Sequence, residues 1–455
     1  MELTKSQKVA YDAMKSGKNV FITGGAGTGK TKLIQEFISE VDPNMEKTIF
    51  MAPTGKAALN MGENGRTIHR TLGLRKDDEH FDKNPAVPKI LDSVKRIVID
   101  EISMMRIDLF DYFARLFQKE NRYRYQSVDW ESNEPLRMPI QLIMVGDFYQ
   151  LNPVMVVNDT RNDETLLNKW YGKDVGRAYS FQSDFWHKLG IQTYELTEIC
   201  RQKGNPEFAA ALNQLRVGNT ECIHYFNENC IIGESNFDPS LITLCGKNKT
   251  VEKINNQHIP ANKTISHTEI SKKVFDADID WKSIACEKDL VLFPEAHVMC
   301  IANNKSAVNG EMGVIKKIYD DEIIIRWNSG KVNAVEKYTW SINRPIVTEK
   351  IVKADENGKF IYEKIISSET LYEVTQFPLK LAYASTVHKA QGETISDGGN
   401  VYLGKTYGGN REFFNPGQLY TALSRFTDPR NIHLSRPLIE SDVIYEKLIY
   451  NFFNK

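Results

Sequence analysis

The residues with the plainest chemical capacity lie near the start of the chain, where Gly24 to Thr31 read GGAGTGKT. Glycines at this spacing let successive backbone N–H groups turn inward on an anion, which bulkier residues would block. In such a loop Gly24, Gly25, Ala26, Gly27, Thr28 and Gly29 cradle phosphates, Lys30 reaches the outer ones, and Thr31 offers its hydroxyl to Mg2+. The apolar run NVFIT at 19 to 23 precedes the loop and a helical stretch follows it. That strand, loop and helix order separates a phosphate-binding loop from an ordinary glycine turn. A second strand, RIVID at 96 to 100, delivers Asp100 and Glu101 at its carboxyl end, where ligands sit in open α/β sheets. Asp100 suits the magnesium carboxylate and Glu101 the base that orients an attacking water. VGDFYQL at 145 to 151 repeats the arrangement, so Asp147 and Gln150 are candidates to sense the γ-phosphate or its water. Together these residues predict hydrolysis of ATP with Mg2+.

A different set suits a polyanion. Thr54, Lys56, Thr67 and His69 leave strand ends in the first half of the chain, and Thr386, His388 and Lys389 form a similar group in the second. Hydroxyl, basic and imidazole groups on loops match phosphate oxygens, and two such clusters form a track for a sugar-phosphate backbone. Neither histidine has a second ligand at helical spacing, which argues against a metal site. Composition alone would not suggest nucleic acid: 58 basic against 59 acidic residues leave a formal charge of -1, so any binding surface comes from local clustering. Six cysteines show no C-x-x-C pair and read as reduced core thiols. No apolar run approaches the ~20 residues that span a bilayer, and the polar N-terminus reads as that of an intracellular, soluble protein.

The elements that must position these residues follow from the pattern. A helix is predicted over Leu3 to Ser16, and buried parallel strands at TIFMAP (48 to 53), RIVID and IQLIMVGD (140 to 147), separated by stretches long enough for crossover helices. This is a doubly wound α/β lobe over residues 1–190, with short insertions near 73–90 and 121–138. A second α/β lobe begins at 191–289, starting with YELTEICRQ, then a helix from Pro206 to Leu215, the strand SLITLCG at 240 to 246 and a helix from Lys249 to Gln257. From 290 to 375 short β-rich runs alternate with turns, as in a small inserted β-barrel. The second lobe resumes over 376–455.

With these residues in hand, the chain resembles the superfamily 1 helicases, and within them the petite-integration-frequency (PIF) family and its RecD-like and Dda-like relatives. LTKSQKVAYDAM is similar to the family's adenine-reading segment, with Gln7 at the base-contacting position. APTGKAALNM, which brings in Pro53, and TIHR resemble its first DNA-contact motifs. STVHKAQGETI, with Gly392 and Glu393, resembles the fifth motif. Arg201 in EICRQ and Arg425 in GQLYTALSRF stand at its two arginine-finger positions. Leu136 to Ile140 read LRMPI where the family carries a Phe-Gly-Gly element. The resemblance implies two RecA-like doubly wound parallel-sheet lobes of the P-loop NTPase class, binding nucleotide between them, with a small SH3-like β-barrel inserted in the second. It also implies an ATP-dependent helicase moving 5′ to 3′ on single-stranded DNA and acting on forked or tailed duplex. It is expected to work as a monomer, off the membrane, with a single-strand-binding protein as a further partner. A nucleotide-switched ATPase that grips DNA without translocating is the alternative reading. A small-molecule kinase using the same loop would leave the second half of the chain unexplained.

Overall fold

The structure is a computed structural model that describes residues 3–54, 57–58, 65–74, 80–127, 137–155, 157–158, 161–199, 204–274, 279, 281, 284, 286–302, 304–307, 311–354, 360–405 and 411–454. The chain divides into two compact units: Met1–Phe148 with Asn152–Glu198 and Arg344–Glu369, and Tyr149–Leu151 with Ile199–Asn343 and Thr370–Lys455.

The first unit is built on a sheet whose central strands are mostly apolar and buried. β1 (Val20–Gly24), β2 (Thr48–Ala52), β3 (Gly65–Thr67), β4 (Arg96–Ile99), β5 (Gln141–Val145) and β6 (Gln192–Leu196) form one sheet in the order β3-β2-β4-β5-β1-β6. All its pairings are parallel. Every residue of β1, β2 and β5 is buried, as expected of central strands covered on both faces. α1 (Lys5–Lys15) starts at Thr4, whose hydroxyl accepts from the backbone of Gln7 while the Gln7 side chain answers to the Thr4 backbone. Its inward face is Gln7, Ala10, Ala13 and Met14. α2 (Lys30–Val41) adds Leu33, Ile34, Phe37 and Ile38 to the same core. At roughly 1.5–3 kcal/mol for each large apolar side chain buried, this packing fixes the loop between β1 and α2. Further helices among the described residues of this unit are α3 (Ile68–Leu72), α4 (Ile107–Gln126), α5 (Asp163–Tyr171) and α6 (Asp184–Lys188).

Two expectations are corrected here. Gln192–Leu196, read from the sequence as the opening of the second lobe, is the edge strand beside β1. Residues 121 to 126, read as irregular insertion, are the last turns of the 20-residue α4. There Arg124 is buried and donates to the carbonyls of Leu91, Val94 and Met138 and to Glu120. The rest of that stretch, 128–136, lies outside the described residues.

The second unit carries α7 (Pro206–Arg216), α8 (Cys222–Asn229), α9 (Asn248–Gln257), α10 (Val387–Ala390), α11 (Gln418–Leu423) and α12 (Lys447–Phe453). Its strands are β7 (Ile231–Ile232), β8 (Thr243–Cys245), β9 (Thr264–His267), β10 (Glu269–Lys272), β11 (Asp289–Leu292), β12 (His297–Cys300), β13 (Met312–Ile318), β14 (Glu322–Trp327), β15 (Val332–Glu336), β16 (Tyr338–Ala354), β17 (Phe360–Gln376), β18 (Leu379–Leu381), β19 (Ala384–Thr386), β20 (Gly399–Val401) and β21 (Ile432–Leu434), of which β16 and β17 extend into the stretch grouped with the first unit. A parallel sheet in the order β19-β8-β20-β21-β7 is interrupted in sequence by antiparallel sheets ordered β15-β14-β13-β12-β18, β10-β17-β16 and β9-β11. The β insert therefore begins before residue 290, and two of its strands run 17 residues each where the sequence suggested several short ones. Its core contains Ile315, Ile323, Ile325, Trp327, Val335, Phe377 and Leu379.

Candidate nucleotide site and nucleic-acid contacts

In the first unit, the loop after β1 takes backbone conformations that L side chains avoid: Gly24 has φ +143°, Gly27 +79° and Gly29 +80°. A Cβ on Gly24 would sit 2.4 Å from the carbonyl oxygen of Leu196 on β6. Gly29 then caps α2, leaving the helix N-terminus open toward the loop. Lys30 Nζ donates to the carbonyls of Gly24 (2.9 Å) and Gly25 (3.0 Å), which holds the ammonium over the loop. Gln7 is buried and engaged at both ends of its amide. Its Oε1 accepts from Thr4 N–H at 3.1 Å and its Nε2 donates to Thr28 O at 3.0 Å, so it ties α1 to the loop. The start of α1 is held in turn by Glu198, which accepts from the Ser6 and Thr4 hydroxyls and the Ser6 N–H. The Ser6 hydroxyl, against burial, holds that carboxyl down at about 2.

β4 ends beside the loop. Asp100 is buried, its backbone bonded to Met51 O of β2, and its Oδ2 lies 3.5 Å from the Thr31 hydroxyl. Burial pushes its carboxyl up, against the opposing pull of the Glu101 N–H, Lys30 and Thr31. A carboxylate short of solvation beside a hydroxyl is a site that a divalent cation would satisfy, so Thr31 and Asp100 fit Mg2+. Glu101 has φ +51°, the left-handed region. Its N–H donates to Asp100 Oδ1 at 2.9 Å. Asp147 follows β5 and is fully buried, while Gly146 approaches the Glu101 loop so closely that a Cβ would fall 3.0 Å from Ile102 N. Gln150, by contrast, is grouped with the second unit.

The candidate DNA-contacting residues fall on a repeated local device. Thr67 caps α3 by accepting from Arg70 N at 3.3 Å, and Thr386 caps α10 by accepting from Lys389 N at 3.3 Å. Thr-Ile-His-Arg and Thr-Val-His-Lys thus build the same turn at the end of a parallel strand, one in each unit. Thr54, after Pro53 and β2, similarly accepts from Ala57 N at 3.2 Å. Lys56 and Arg201 lie outside the described residues. His388 is half-buried and its basicity is lowered by that burial; Lys389 is exposed. Beyond α10, Gly392 turns at φ +82°, and Glu393 lies 3.8 Å from Lys380. Arg425, buried at the end of α11, donates Nε to Thr421 O (2.9 Å), Nη2 to Ser424 Oγ (2.9 Å) and Nη1 to Glu393 O (3.3 Å).

The profile of the PIF1-like helicase family matches residues 2–223. The ATP-dependent DNA helicase Pif1 of Campylobacter jejuni is 29% identical over 94% of this chain and 90% of its own length. That of Bdellovibrio bacteriovorus is 29% identical over 95% and 88%. The chain resembles the PIF1-like helicases. Unliganded Pif1 from a Bacteroides species superposes with a TM-score of 0.74 at 28% identity, covering 100% of this chain and 97% of that one. Bacteroides Pif1 bound to single-stranded DNA gives 0.63 at 29% identity with the same coverage. The PIF1-like fold therefore accounts for the two parallel sheets and the β insert together. Sequence reasoning missed three residues that the structure links to His69 in series: His80, Asp108 and Arg106. Their only sequence signal was polarity at positions that turn out to be buried.

Proposed function

We propose that this PIF1-like chain hydrolyses ATP to move along single-stranded DNA and unwind duplex ahead of it. The observation that carries this is the convergence, in one parallel sheet, of the Gly24–Thr31 loop with Asp100 and the strained Glu101 at the end of β4. Lys30 neutralises charge on the β- and γ-phosphates, and Glu101 holds and polarises the attacking water. Thr31 and Asp100 hold Mg2+, which when bound supplies electrostatic neutralisation of the phosphate oxygens. Gln7 supports the loop and, by exchanging one of its amide bonds, reads the adenine. Asp147 and Gln150 respond to the γ-phosphate. Gly392, Glu393, Arg425 and Arg201 complete the hydrolytic set. Pro53, Thr54, Lys56, Thr67 and His69 in one unit, and Thr386, His388 and Lys389 in the other, grip the sugar-phosphate backbone. Translocation runs 5′ to 3′, as a monomer, inside the cell, on strands that a single-strand-binding protein also covers.

ATPase turnover measured with and without single-stranded DNA tests this reading. Stimulation by DNA, lost in Lys30→Ala with the fold retained, is expected. Turnover in Lys30→Ala within about tenfold of the parent, roughly 1.4 kcal/mol of barrier, would remove the loop from the mechanism.

A further inference from the structure

The amide of Gln7 has a fixed sense. Its Oε1 faces a group that can only donate, the Thr4 N–H at 3.1 Å, and its Nε2 faces one that can only accept, the Thr28 carbonyl at 3.0 Å. The nitrogen also lies against the phosphate loop at Gly29, where an added Cβ would come within 2.9 Å of it. An amide oxygen accepts twice and an amide nitrogen donates twice. With its oxygen kept on Thr4, Gln7 can therefore also accept from the 6-amino group of adenine while its nitrogen turns from Thr28 to the ring N7. Guanine carries acceptors at both of these places and refuses that pairing. Once the nitrogen has left Thr28, the bond from the Thr4 N–H keeps the two ends of the amide from exchanging.

Thr4 is held in turn by a carboxylate 194 positions away. Glu198 Oε2 accepts from the Thr4 hydroxyl at 3.1 Å and from the Ser6 hydroxyl, and its Oε1 accepts from the Ser6 N–H at 3.2 Å. Ser6 Oγ also accepts from Thr197 N at 3.3 Å, and Thr4 Oγ1 from Gln7 N at 3.4 Å. Thr4 is the N-cap of α1 and Ser6 lies in its first turn, so this one side chain sets where the helix begins and keeps the Thr4 N–H on Gln7. With the Ser6 hydroxyl holding it down at about 2, the carboxyl is ionised at neutral pH and accepts through both oxygens. We propose that Glu198 is a positioning residue for nucleotide choice: by fixing the start of α1 it holds Gln7 in the sense that pairs with adenine and rejects guanine. The proposal rests on Gln7 reading the base, as in the function above.

The test is DNA-stimulated turnover of ATP and of GTP by the full chain, for the parent and for Glu198→Ala, Thr4→Val, Thr4→Ser and Gln7→Ala. The ratio of kcat/KM for the two nucleotides within one preparation cancels any loss of folded protein. The parent is expected to prefer ATP by on the order of 10- to 100-fold. Glu198→Ala should lose most of that preference through a higher KM for ATP, with kcat kept and GTP little changed, because a base contact acts alike on bound substrate and transition state. Thr4→Val should repeat the loss, and Thr4→Ser, which keeps the hydroxyl, should not. A preference lost in Gln7→Ala but kept in Glu198→Ala would overturn the positioning role and leave the base reading standing. So would an equal fall for ATP and GTP in Glu198→Ala, the mark of a merely structural contact. Equal use of the two nucleotides by the parent, or a preference that survives Gln7→Ala, would overturn both.

Discussion

Glu101 carries a backbone strain that its neighbours do not. A non-glycine residue at φ +51° costs on the order of 1–3 kcal/mol unless the surroundings impose it, and here the close approach of Gly146 and the bond to Asp100 do so. That left-handed turn directly follows Asp100, whose Oδ2 lies 3.5 Å from the Thr31 hydroxyl of the phosphate loop. Glu101→Gln is expected to abolish turnover while nucleotide binding survives. Glu101→Gly should be equally inactive but no less stable than the parent, although glycine elsewhere in a strand or helix costs about 0.5–1 kcal/mol; thermal unfolding and a nucleotide titration read both. A Glu101→Gly protein that unfolds earlier would remove strain from the account. Arg425 is the sharper case among the arginines, because its guanidinium already binds three groups within its own unit. If it also stabilises transferring phosphate, Arg425→Ala should cut DNA-stimulated kcat by on the order of 10³-fold and leave nucleotide affinity intact. A lowered thermal midpoint with normal turnover per folded molecule would mark it as structural instead.

At the scale of elements, the phosphate loop depends on β6 as much as on its own glycines. Because a Cβ on Gly24 would fall 2.4 Å from a backbone oxygen of Leu196, neither partner can yield without disturbing the β1–β6 pairing. Gly24→Ala is therefore expected to destabilise the first unit by roughly 1–3 kcal/mol and to weaken nucleotide binding together, as denaturant unfolding and a binding titration would show. A fully stable Gly24→Ala protein would contradict the packing described. β6 is also the element that the sequence hid. In QTYEL only Leu196 is buried, so an edge strand lacks the continuous apolar run that made β1, β2, β4 and β5 legible. The end of α4 was hidden for a related reason: Arg124 is buried through bonds to carbonyls, which no apolar period reports. The long strands β16 and β17 were read as fragments because Pro345 and interspersed polar residues punctuate them. The glycine loop after β1 and the strand ends that carry Asp100 and Asp147 were legible because they are marked by residue type at fixed spacing. The His80–Asp108 pairing was not, since its partners are 28 positions apart and meet only in the fold.

For the molecule as a whole, a formal charge of -1 means that DNA affinity cannot come from bulk attraction. It must come from local contacts to the sugar-phosphate backbone, and so it should weaken steeply with salt and depend little on base sequence. In the function proposed above, the turns at Thr67–Arg70 and Thr386–Lys389 are to supply such contacts, one in each unit. Among the described residues no helix is long and apolar enough to cross a membrane. The central claim is ATP-driven unwinding, and the most direct measurement of it is strand separation on a duplex carrying either a 5′ or a 3′ single-stranded tail, with ATP and Mg2+, for the parent and for Lys30→Ala. The account predicts that the parent unwinds the 5′-tailed duplex only, and that Lys30→Ala unwinds neither while still binding the tail. DNA-stimulated ATP hydrolysis with no strand separation on either substrate would contradict it, and would leave an ATPase that grips DNA without moving along it.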